Sequence, residues 1–492
     1  MSFRPRTTQR LNNVIKSFLE RHGLANPDPG WEIRESEVGG FGVFASRDFH
    51  AGEVIFLDYP AIIGPRCVPN CSRVCVVCFG KEHLRPCKNS CGLDVCSETC
   101  QNSSSHSKEC KLIGECTQKR SNVSDQFRQD LYENLTPLRS LFLDECEKDV
   151  VSCLIAHDRE EHGHEIEALK NKLGFEFTEE DEIFLRFVCC VMDANAFEVI
   201  VGNEENTSSV RALYPLGSLA NHSCIPNTLH VFNDEQQMVV KATTFIQKNV
   251  ELFHSYTRII WGTTTRLYHL HKTKHFICKC ARCEDPTEFG TYMGSVLCKL
   301  CRGIVSSTNP EKAFARWQCQ DCKNLVSGRD VGQLTALLGS ILRNVESNDY
   351  PFMYRLLNGK LKSVVPENNQ VAVELKYKIV WILGYKVGYM WGELTLEQLK
   401  IKEQICKDIL ELLEKLRCGQ SKMRGLLLYE LCCCKRETIN RTNNCNQNSI
   451  PVEIRDLLSE AASILQYDTS APEEIKQICQ NNKPHPNKIL AV

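Results

Sequence analysis

The chain has 492 residues, 42% of them hydrophobic, with 59 basic and 61 acidic side chains. A chain of this length can bury two or three hydrophobic cores, so we expect a multi-domain protein. The near-zero net charge disfavours a dedicated nucleic-acid binder, and the sequence shows neither a signal-peptide pattern nor an apolar run long enough to cross a membrane. The 29 cysteines therefore indicate a reducing compartment, in which thiols stay available for metal.

The spacing of apolar residues changes along the chain. Residues 11–22 carry them at helical intervals, which predicts a short helix. From Trp31 to Ile63 the sequence alternates as strands do and is punctuated by glycine. Residues 124–200 are predicted to be mainly helical, and a second strand region runs from about Leu213 to Tyr256. Beyond about residue 329 the pattern is helical to the end.

A dense group of metal-ligand residues separates the two strand regions. Its order is Cys-x-x-Cys, then two Cys-x-x-x-Cys pairs, then His-x-x-x-Cys. Eight such ligands fill two closed tetrahedral zinc sites with none left over. The alternative, disulfides or unrelated core cysteines, does not explain so regular a spacing. The eight ligands are Cys75, Cys78, Cys87, Cys91, Cys96, Cys100, His106 and Cys110.

Two further cysteine groups follow the second strand region. Cys278-x-Cys280-x-x-Cys283 supplies three ligands, so it either takes a fourth from elsewhere or consists of three unrelated thiols. The other group has the complete spacing of a zinc ribbon. We expect about four structural zinc ions in all, and closed sites of this kind serve folding because they leave no open position for water. The ribbon ligands are Cys298, Cys301, Cys319 and Cys322.

Several short motifs complete the pattern, and their order resembles that of the SET-and-MYND-domain lysine methyltransferases. With the added zinc-ribbon spacing, the chain looks most like the arthropod-expanded branch of that family. The motifs are Gly40-x-Gly42 with Gly52-Glu53, the inserted eight-ligand cluster, Asn195-Ala196-Phe197, Asn221-His222-Ser223-Cys224-x-Pro226-Asn227, Ser255-Tyr256 and Cys278-x-Cys280-x-x-Cys283.

The resemblance implies an α+β multi-domain fold. A split SET β-fold carries an inserted MYND zinc module, followed by a post-SET zinc site, a zinc-ribbon-like segment and an α-helical C-terminal region. The expected segments are an N-terminal helix (1–30), the first SET part (31–66), the MYND zinc finger (67–110), a helical insert (111–182), the SET core (183–260), the post-SET zinc region (261–285), the zinc-ribbon-like segment (286–328) and the α-helical C-terminal domain (329–492).

The resemblance also implies a ligand pairing that spacing leaves open. The first and third ligand pairs would share one zinc, giving Cys75, Cys78, Cys96 and Cys100. The second and fourth would share another, giving Cys87, Cys91, His106 and Cys110. Cys224 would then be the missing fourth ligand for Cys278, Cys280 and Cys283.

The cofactor implied by the resemblance is S-adenosylmethionine, with Tyr256 as the catalytic residue. Read without the family, Gly-x-Gly is more often a common turn, and the alternative for Tyr256 is a half-buried strand tyrosine. A glycine lets backbone approach a ligand because no Cβ stands in the way. The residues expected at the cofactor are Gly40, Phe41, Gly42, Asn195, Asn221, His222 and Tyr256.

The chain departs from the family at two places. Where the family usually has Gly-Glu-Glu, this chain has Asn249-Val250-Glu251, and asparagine tolerates the left-handed turn expected there. Where the family usually has a second active-site tyrosine, this chain has Lys274-His275 before Phe276. A missing hydroxyl would weaken, alter or abolish the reaction, although His275 could substitute as a polar wall.

The leading hypothesis is an S-adenosylmethionine-dependent protein-lysine N-methyltransferase acting on histone or non-histone proteins. The alternative is a weak or inactive scaffold that regulates transcription by recruiting partners through its MYND module, and sequence-specific DNA binding ranks third. The family implies a protein substrate with a target lysine, proline-rich peptide partners of the MYND module and a role in chromatin regulation. We expect a monomer in the cytoplasm and nucleus, with nucleic acid disfavoured as the primary ligand.

Overall fold

A computed structural model describes residues 5–66, 71–117, 123–156, 162–201, 208–312, 314–345, 349–442 and 451–481. Its strands are β1 Trp31–Glu35, β2 Phe41–Ala45, β3 Val54–Asp58, β4 Ile62–Pro65, β5 Arg85–Pro86, β6 Asp94–Val95, β7 Phe197–Val201, β8 Ser208–Leu213, β9 Thr228–Phe232, β10 Met238–Ala242, β11 Val296–Leu297, β12 Ile304–Ser307, β13 Trp317–Cys319 and β14 Leu325–Val326.

The helices lie between and after these strands. They are α1 Thr8–Arg21, α2 Glu98–Gln101, α3 Ser104–Thr117, α4 Asp125–Leu138, α5 Glu145–Ser152, α6 His164–Glu167, α7 Glu179–Asn195, α8 Thr263–Lys274, α9 Ala281–Glu284, α10 Gly328–Asn344, α11 Tyr350–Asn358, α12 Gln370–Ile382, α13 Leu396–Lys415, α14 Lys422–Thr442, α15 Val452–Leu465 and α16 Glu473–Asn481. None of the helices in the described ranges is both long and apolar enough to span a membrane.

The β fold is split by the cysteine-rich segment. One three-stranded sheet has the order β3-β10-β9 and another has the order β4-β8-β7. Each therefore pairs a strand that precedes the cysteine cluster with strands that follow it. The remaining sheets are the β1-β2 and β5-β6 pairs and the four-stranded β11-β12-β13-β14. The segment from β5 to α3 is consequently an insertion between two halves of one β fold.

Helix α4 holds the inserted module against that fold. Tyr132 is fully buried, accepts a hydrogen bond from the backbone N–H of Asp94 at 3.0 Å and donates one to the carbonyl of Val74 at 2.7 Å. Arg139, which follows α4, donates to the carbonyls of Ile63 and Val76, both at 2.6 Å. The insertion and the strands share one hydrophobic core as a result.

Two segments of the second strand region lie side by side, one containing His222 and the other His254. His222 and His254 form a parallel bridge. The backbone N–H of His254 donates to the carbonyl of Asn221, and the N–H of Ser223 donates to the carbonyl of His254, both at 2.9 Å. The Asn221-His222-Ser223 segment is thereby fixed beside the segment that carries Tyr256.

The C-terminal helices form a second core, which includes the β11–β14 sheet. Helix α13 is amphipathic, as its apolar spacing predicts, and it buries Leu399, Ile405 and Ile409. This region packs on β10, where the Lys241 ammonium donates to the carbonyl of Ser463 at 2.6 Å. The α+β architecture expected from the sequence is confirmed.

The expected segment boundaries do not coincide with element ends at three points. The boundary after residue 110 falls inside α3, the boundary after residue 182 falls inside α7, and the boundary after residue 328 falls inside α10, one residue after its start. In the first case His106 and Cys110 lie on successive turns of α3, so the helix that carries zinc ligands simply continues past them. The expected segment 1–30 contains α1, whose Thr7 side chain caps the helix by accepting from the Arg10 N–H.

Candidate functional site

The eight ligands of the inserted module form two separate groups. In each group the ligand atoms lie within 4.8 Å of one another, and the grouping matches the pairing implied by the family. In the first group, the sulfurs of Cys78 and Cys96 are 3.4 Å apart and those of Cys96 and Cys100 are 3.6 Å apart. Closed sets of thiolate and imidazole donors fit tetrahedral zinc.

In the second group, a buried carboxylate and an arginine lie behind the histidine ligand. Nε2 of His106 lies 3.2 Å from the Cys87 sulfur, and Nδ1 lies 3.3 Å from the buried carboxylate of Glu109. Arg139 donates to both oxygens of that carboxylate, at 2.9 and 3.0 Å. A carboxylate behind a ligating histidine fixes the ring tautomer and orientation. The same arginine that anchors the inserted module to the β fold thus also positions a zinc ligand.

The structure also completes the three-cysteine group. Cys224 lies with Cys278, Cys280 and Cys283, all ligand atoms being within 4.8 Å of one another. Four thiolates around one zinc leave a net charge of about −2, which needs compensation in a buried place. The fully buried Arg266 supplies it by donating to the sulfurs of Cys224 at 3.1 Å and Cys283 at 3.5 Å.

Arg266 belongs to a buried ionic network that the sequence did not reveal. Its guanidinium also donates to Glu288 at 2.7 Å, and Arg282 donates to the same carboxylate oxygen at 3.1 Å. Burial by itself raises the pKa of Glu288, but the two guanidiniums bring it below its usual range. This network joins α8, α9 and the loop after α9 around the third cysteine group.

The zinc-ribbon cysteines form the fourth group. The sulfurs of Cys298 and Cys322 are 3.7 Å apart, and those of Cys301 and Cys319 are 3.5 Å apart. Cys301 and Cys322 are exposed, so this site lies at the surface at the edge of the β11–β14 sheet.

A fifth, looser group consists of His162, Glu165 and Cys189. The two ring nitrogens of His162 face carboxylates, with Nδ1 at 2.9 Å from Glu165 and Nε2 at 3.0 Å from Asp193. The three members of the group do not make a closed four-ligand set.

His222 links the third cysteine group to Tyr256. Its Nδ1 accepts a hydrogen bond from the backbone N–H of Tyr256 at 2.9 Å. The ring proton must therefore sit on Nε2, which points at the Cys224 sulfur at 3.2 Å. Because both ring nitrogens are engaged within the protein, contact between His222 and a cofactor is limited to the backbone and the ring face.

Tyr256 is half-buried, and its hydroxyl donates to the carbonyl of Ala220 at 2.7 Å. Burial, with the Glu251 carboxylate nearby, raises the pKa of this hydroxyl well above its usual range. The oxygen is therefore a neutral acceptor, and no donor among the described residues occupies its lone pairs. This orientation is the one that positions an amine and not the one that removes its proton.

Asn221 holds the predicted cofactor loop through the protein's own groups. Its amide nitrogen donates to Glu251 at 2.7 Å and to the carbonyl of Phe41 at 3.2 Å. A Cβ on Gly42 would lie 2.2 Å from that Glu251 carboxylate oxygen. Gly42 is therefore required by the close approach of Glu251, a reason that sequence reasoning missed. Gly40 is required because its φ is +59°, and the space above it is open.

The Arg6 side chain lies beside the Gly40–Gly42 loop. The Arg6 guanidinium lies 5.2 Å from the centroid of the Phe41 ring. Its buried Nε has no hydrogen-bond partner among the described residues. Burial lowers the pKa of Arg6, which shows how poorly solvated this charge is. An exposed glycine turn next to an incompletely paired guanidinium fits a cofactor with a carboxylate, such as S-adenosylmethionine.

Asn195 lies at the C-terminal end of α7. Its amide nitrogen donates to the carbonyls of Ile155 and Val191, both at 2.7 Å, and its own carbonyl accepts from Ser218 at 3.3 Å. Its role at the cofactor stays a prediction, and in the structure its amide nitrogen ties α7 to the segment after α5.

The two departures from the family have different outcomes. Asn249 has a φ of +70°, so the left-handed turn expected there is confirmed. The prediction that His275 provides a polar wall is wrong, because His275 caps α8 at a φ of +58° with an exposed side chain. Lys274 turns inward instead, with its ammonium 5.7 Å from the centroid of the Tyr256 ring.

Two histidines near this region were not singled out from the sequence. The Thr228 hydroxyl donates to the carbonyl of Phe253 at 2.7 Å, so at 2.7 Å from Nδ1 of His254 it acts as the acceptor. The lone pair of His254 therefore sits on Nε2, a buried atom without a hydrogen-bond partner in the described part of the chain. The rings of His230 and Phe197 lie 5.0 and 6.3 Å from that of His254. Only the fold, which brings β7 and β9 to this segment, reveals the group.

Comparison with known proteins agrees with this architecture. A SET domain model matches residues 40–257. SET domain-containing protein SmydA-8, isoform B, of Drosophila melanogaster is 30% identical over 436 residues, which cover 86% of this chain and 95% of that protein. Histone-lysine N-methyltransferase ASHR1 of Arabidopsis thaliana is 27% identical over 76% of either chain. N-lysine methyltransferase SMYD2 of Bos taurus is 27% identical over 53% of this chain and 61% of its own length.

The SmydA-8 match covers far more of the chain than the residues 40–257 that the SET domain model matches. Because so much of either chain is aligned at this identity, the chain belongs to the SET-and-MYND-domain family.

Proposed function

We propose that the chain is a protein-lysine N-methyltransferase that uses S-adenosylmethionine. The observation that carries this proposal is the Tyr256 hydroxyl, which is anchored on the Ala220 carbonyl with its lone pairs free to accept an amine N–H. Family membership supports it, since relatives with matching sequences are named as lysine methyltransferases.

When bound, S-adenosylmethionine supplies an electrophilic methyl group. The residues of the chain hold the acceptor. Tyr256 and nearby backbone carbonyls orient the amine, and alignment of amine and methyl group supplies much of the acceleration. A free lysine has a pKa of about 10.4, so its neutral form is scarce at neutral pH. Burial near Tyr256 favours the neutral amine, because desolvation disfavours the ammonium. On the cofactor side, Arg6 is placed for an anionic group.

Calorimetric titration with S-adenosylmethionine tests the proposal first. The wild-type chain should bind, and Asn221→Ala should lose affinity, because the Asn221 amide fixes the loop at Phe41. A matched control is Asn227→Ala, which removes hydrogen bonds to the backbone of Glu251 and Phe253 but leaves that loop alone. Thermal melts of both variants separate lost binding from lost folding. Unchanged affinity in Asn221→Ala, or no binding by the wild type, would contradict the assignment.

Several finer points belong to the same proposal. We infer that the methylated proteins include histones and non-histone proteins. We also infer that the MYND module binds proline-rich peptides, and that the chain is a monomer that regulates chromatin. Four closed cysteine groups without disulfides suit a reducing compartment, which supports a location in the cytoplasm and nucleus. The alternative of an inactive scaffold is favoured by one observation, Lys274 in place of a tyrosine, and an absence of cofactor binding would support it.

A further inference from the structure

Lys274, the last residue of α8, has an unusual environment for a lysine near a surface. Its side-chain nitrogen donates to the backbone carbonyl of Ala194 at 2.7 Å and lies 3.4 Å from that of Asp193. The same nitrogen is 5.7 Å from the centroid of the Tyr256 ring. It thus lies between the proposed catalytic tyrosine and the end of α7, next to Asn195.

These neighbours are the groups that the proposed reaction requires around a substrate amine. A neutral amine has two N–H donors and one lone pair. When the carbonyls of Ala194 and Asp193 take the two donors, the lone pair is left to point elsewhere. Holding an amine in this way, beside a tyrosine and away from bulk water, is what a lysine methyltransferase does with its substrate.

We propose that Lys274 is a methyl acceptor within the chain itself, so that the protein methylates its own active-site lysine. The inference rests on the proposed function. It also gives a role to the departure from the family at this position, because a lysine there is an internal substrate and not merely a lost hydroxyl.

The chemistry of Lys274 supports this role. Burial, with a smaller contribution from Arg211, lowers the pKa of the Lys274 amine to about 8. In the transfer step the lone pair of the nitrogen forms the new N–C bond while the S–C bond of S-adenosylmethionine breaks. S-adenosylhomocysteine leaves, and the proton lost from nitrogen passes to water. No further reactant is needed.

The two carbonyls also limit the extent of the reaction. After one transfer, the neutral secondary amine has a single N–H, so it can satisfy one of the two carbonyls while presenting its lone pair. A second transfer therefore starts from a less well held acceptor. Monomethyl-Lys274 should be the main product.

The test uses the full-length, zinc-loaded chain and methyl-labelled S-adenosylmethionine, with no other protein present. Peptide mass spectrometry should find one added methyl group at Lys274, and Lys274→Arg should abolish the label. The matched control is Lys272→Arg, which changes an exposed lysine two residues earlier on α8 and should keep full labelling. The masses of freshly purified wild-type and Tyr256→Phe chains are also compared by mass spectrometry at Lys274. If methylation already occurs during expression, only the wild type should carry the added methyl group.

A mixing experiment tests whether the reaction is intramolecular. The labelled fraction of Lys274 should grow at a rate independent of protein concentration. A tagged Tyr256→Phe copy, mixed with the wild type, should remain unlabelled. Labelling of that copy at the wild-type rate would show that the methyl group passes between chains, and the inference of transfer within one chain would be wrong.

Other outcomes separate this inference from the proposed function. If the chain binds S-adenosylmethionine and labels histones or extract proteins while Lys274 stays unmodified, the inference is wrong and the proposed function stands. The inference also fails if Lys274→Arg retains the label. If the chain binds the cofactor, labels nothing and has the same mass at Lys274 as the Tyr256→Phe chain, the inference is overturned and the scaffold is favoured. Failure to bind the cofactor at all refutes both.

Discussion

The region from Cys71 to Val326 and the region from Gly328 to Asn481 use cysteine in opposite ways. In the first, four groups of four ligands converge on zinc-type sites. In the second, buried cysteines such as Cys418 and Cys434 lie between helices and belong to no four-ligand group among the described residues. Burial raises the pKa of Cys418 to about 11 and that of Cys434 to about 12, so these thiols stay protonated and inert. Companions at ligand distance, and not the number of cysteines, decide whether a cysteine binds metal.

The two regions also differ in how they are stabilised. The cysteine-bearing segments of the first contain strands of only two residues and small loops that could not stay ordered without metal, although α4 and α7 of the same region belong to a large hydrophobic core. The second has long helices whose apolar faces pack together, so it needs no metal in the described ranges. Even so, it buries an ion pair between Lys402 and Glu430, whose side chains are both fully buried.

Metal removal should separate the two regions most strongly. Elemental analysis should find four zinc ions per chain. Chelation should then unfold the first region, because structural zinc sites contribute about 10–16 kcal/mol of apparent binding free energy. Hydrogen exchange should show protection lost around β5–α3 and α8–α9 but retained in α13 and α14. A ratio near two zinc ions, or equal loss of protection in both regions, would contradict the comparison.

One pair of variants isolates the role of ligand geometry in that experiment. Cys301→Ser removes a ribbon ligand and should lower the zinc content by one ion. Cys418→Ser changes a buried cysteine outside any group and should leave the zinc content unchanged.

Lys402→Met should be the most damaging single change in the helical region. It leaves the Glu430 carboxylate buried, with the Tyr385 hydroxyl as its remaining hydrogen-bond donor among the described residues. Removing one partner of a buried ion pair costs about 3–5 kcal/mol, and urea unfolding should report a loss of that size. The zinc content should not change.

The double variant Lys402→Met/Glu430→Met provides the control. Replacing both charges by apolar side chains removes the unpaired carboxylate, so most of the lost stability should return. The Lys402 ammonium lies 4.1 Å from the centroid of the Trp391 ring. A double variant as unstable as the single one would show that this packing contributes more to stability than the charge pair does.

The features predicted from the sequence are local ones. The local ligand pairs followed from spacings of two to four residues within turns and helices, whereas their assembly into groups and the role of Cys224 followed from the family resemblance. Helix α13 followed from its apolar period. The left-handed Asn249 was predicted from the side chain's tolerance of that conformation. Each of these depends on residues that are close in the chain.

The features that were missed join distant residues. His222 connects Tyr256, 34 positions away, to a zinc ligand, and Lys274 reaches the Ala194 carbonyl across 80 positions. Which face of α8 turns toward Tyr256 depends on the third cysteine group and on Arg266, and no local pattern encodes that rotation. The suggestion that His275 could serve as a polar wall was wrong because its exposed side chain lies outside this region.

Tyr256→Phe should separate chemistry from stability within the zinc-rich region. Loss of one positioned hydroxyl should cut methyl transfer by roughly a hundredfold, while S-adenosylmethionine affinity changes little. Transfer is measured as label on Lys274 and on a histone and cell-extract panel. The matched control is Tyr214→Phe, which likewise removes a hydroxyl donating to a backbone carbonyl, that of Gln236 at 2.6 Å. Equal transfer by Tyr256→Phe and the wild type would show that Tyr256 is not catalytic.

The smallest expected effect is a pH dependence of methyl transfer to Lys274. The reactive form is the neutral amine, and burial lowers the pKa of Lys274 to about 8. The labelling rate should therefore rise about tenfold per pH unit below 8 and level off above it, whereas a solvated lysine, with a pKa of about 10.4, would still be rising there. Initial rates at saturating cofactor, measured by mass spectrometry, give the profile.

The charged side chains that face Lys274 predict how the pH at which labelling levels off can be changed. The Asp193 carboxylate favours the ammonium and the Arg211 guanidinium opposes it, and these two side chains pair at 2.7 Å. Asp193→Asn removes the favourable charge and leaves Arg211 uncompensated, so the pKa of Lys274 should fall and the plateau should begin at lower pH. Asp234→Asn, at an exposed turn remote in sequence, should leave the profile unchanged. A plateau that moves to higher pH in Asp193→Asn would mean that Lys274 does not react from the position beside Tyr256.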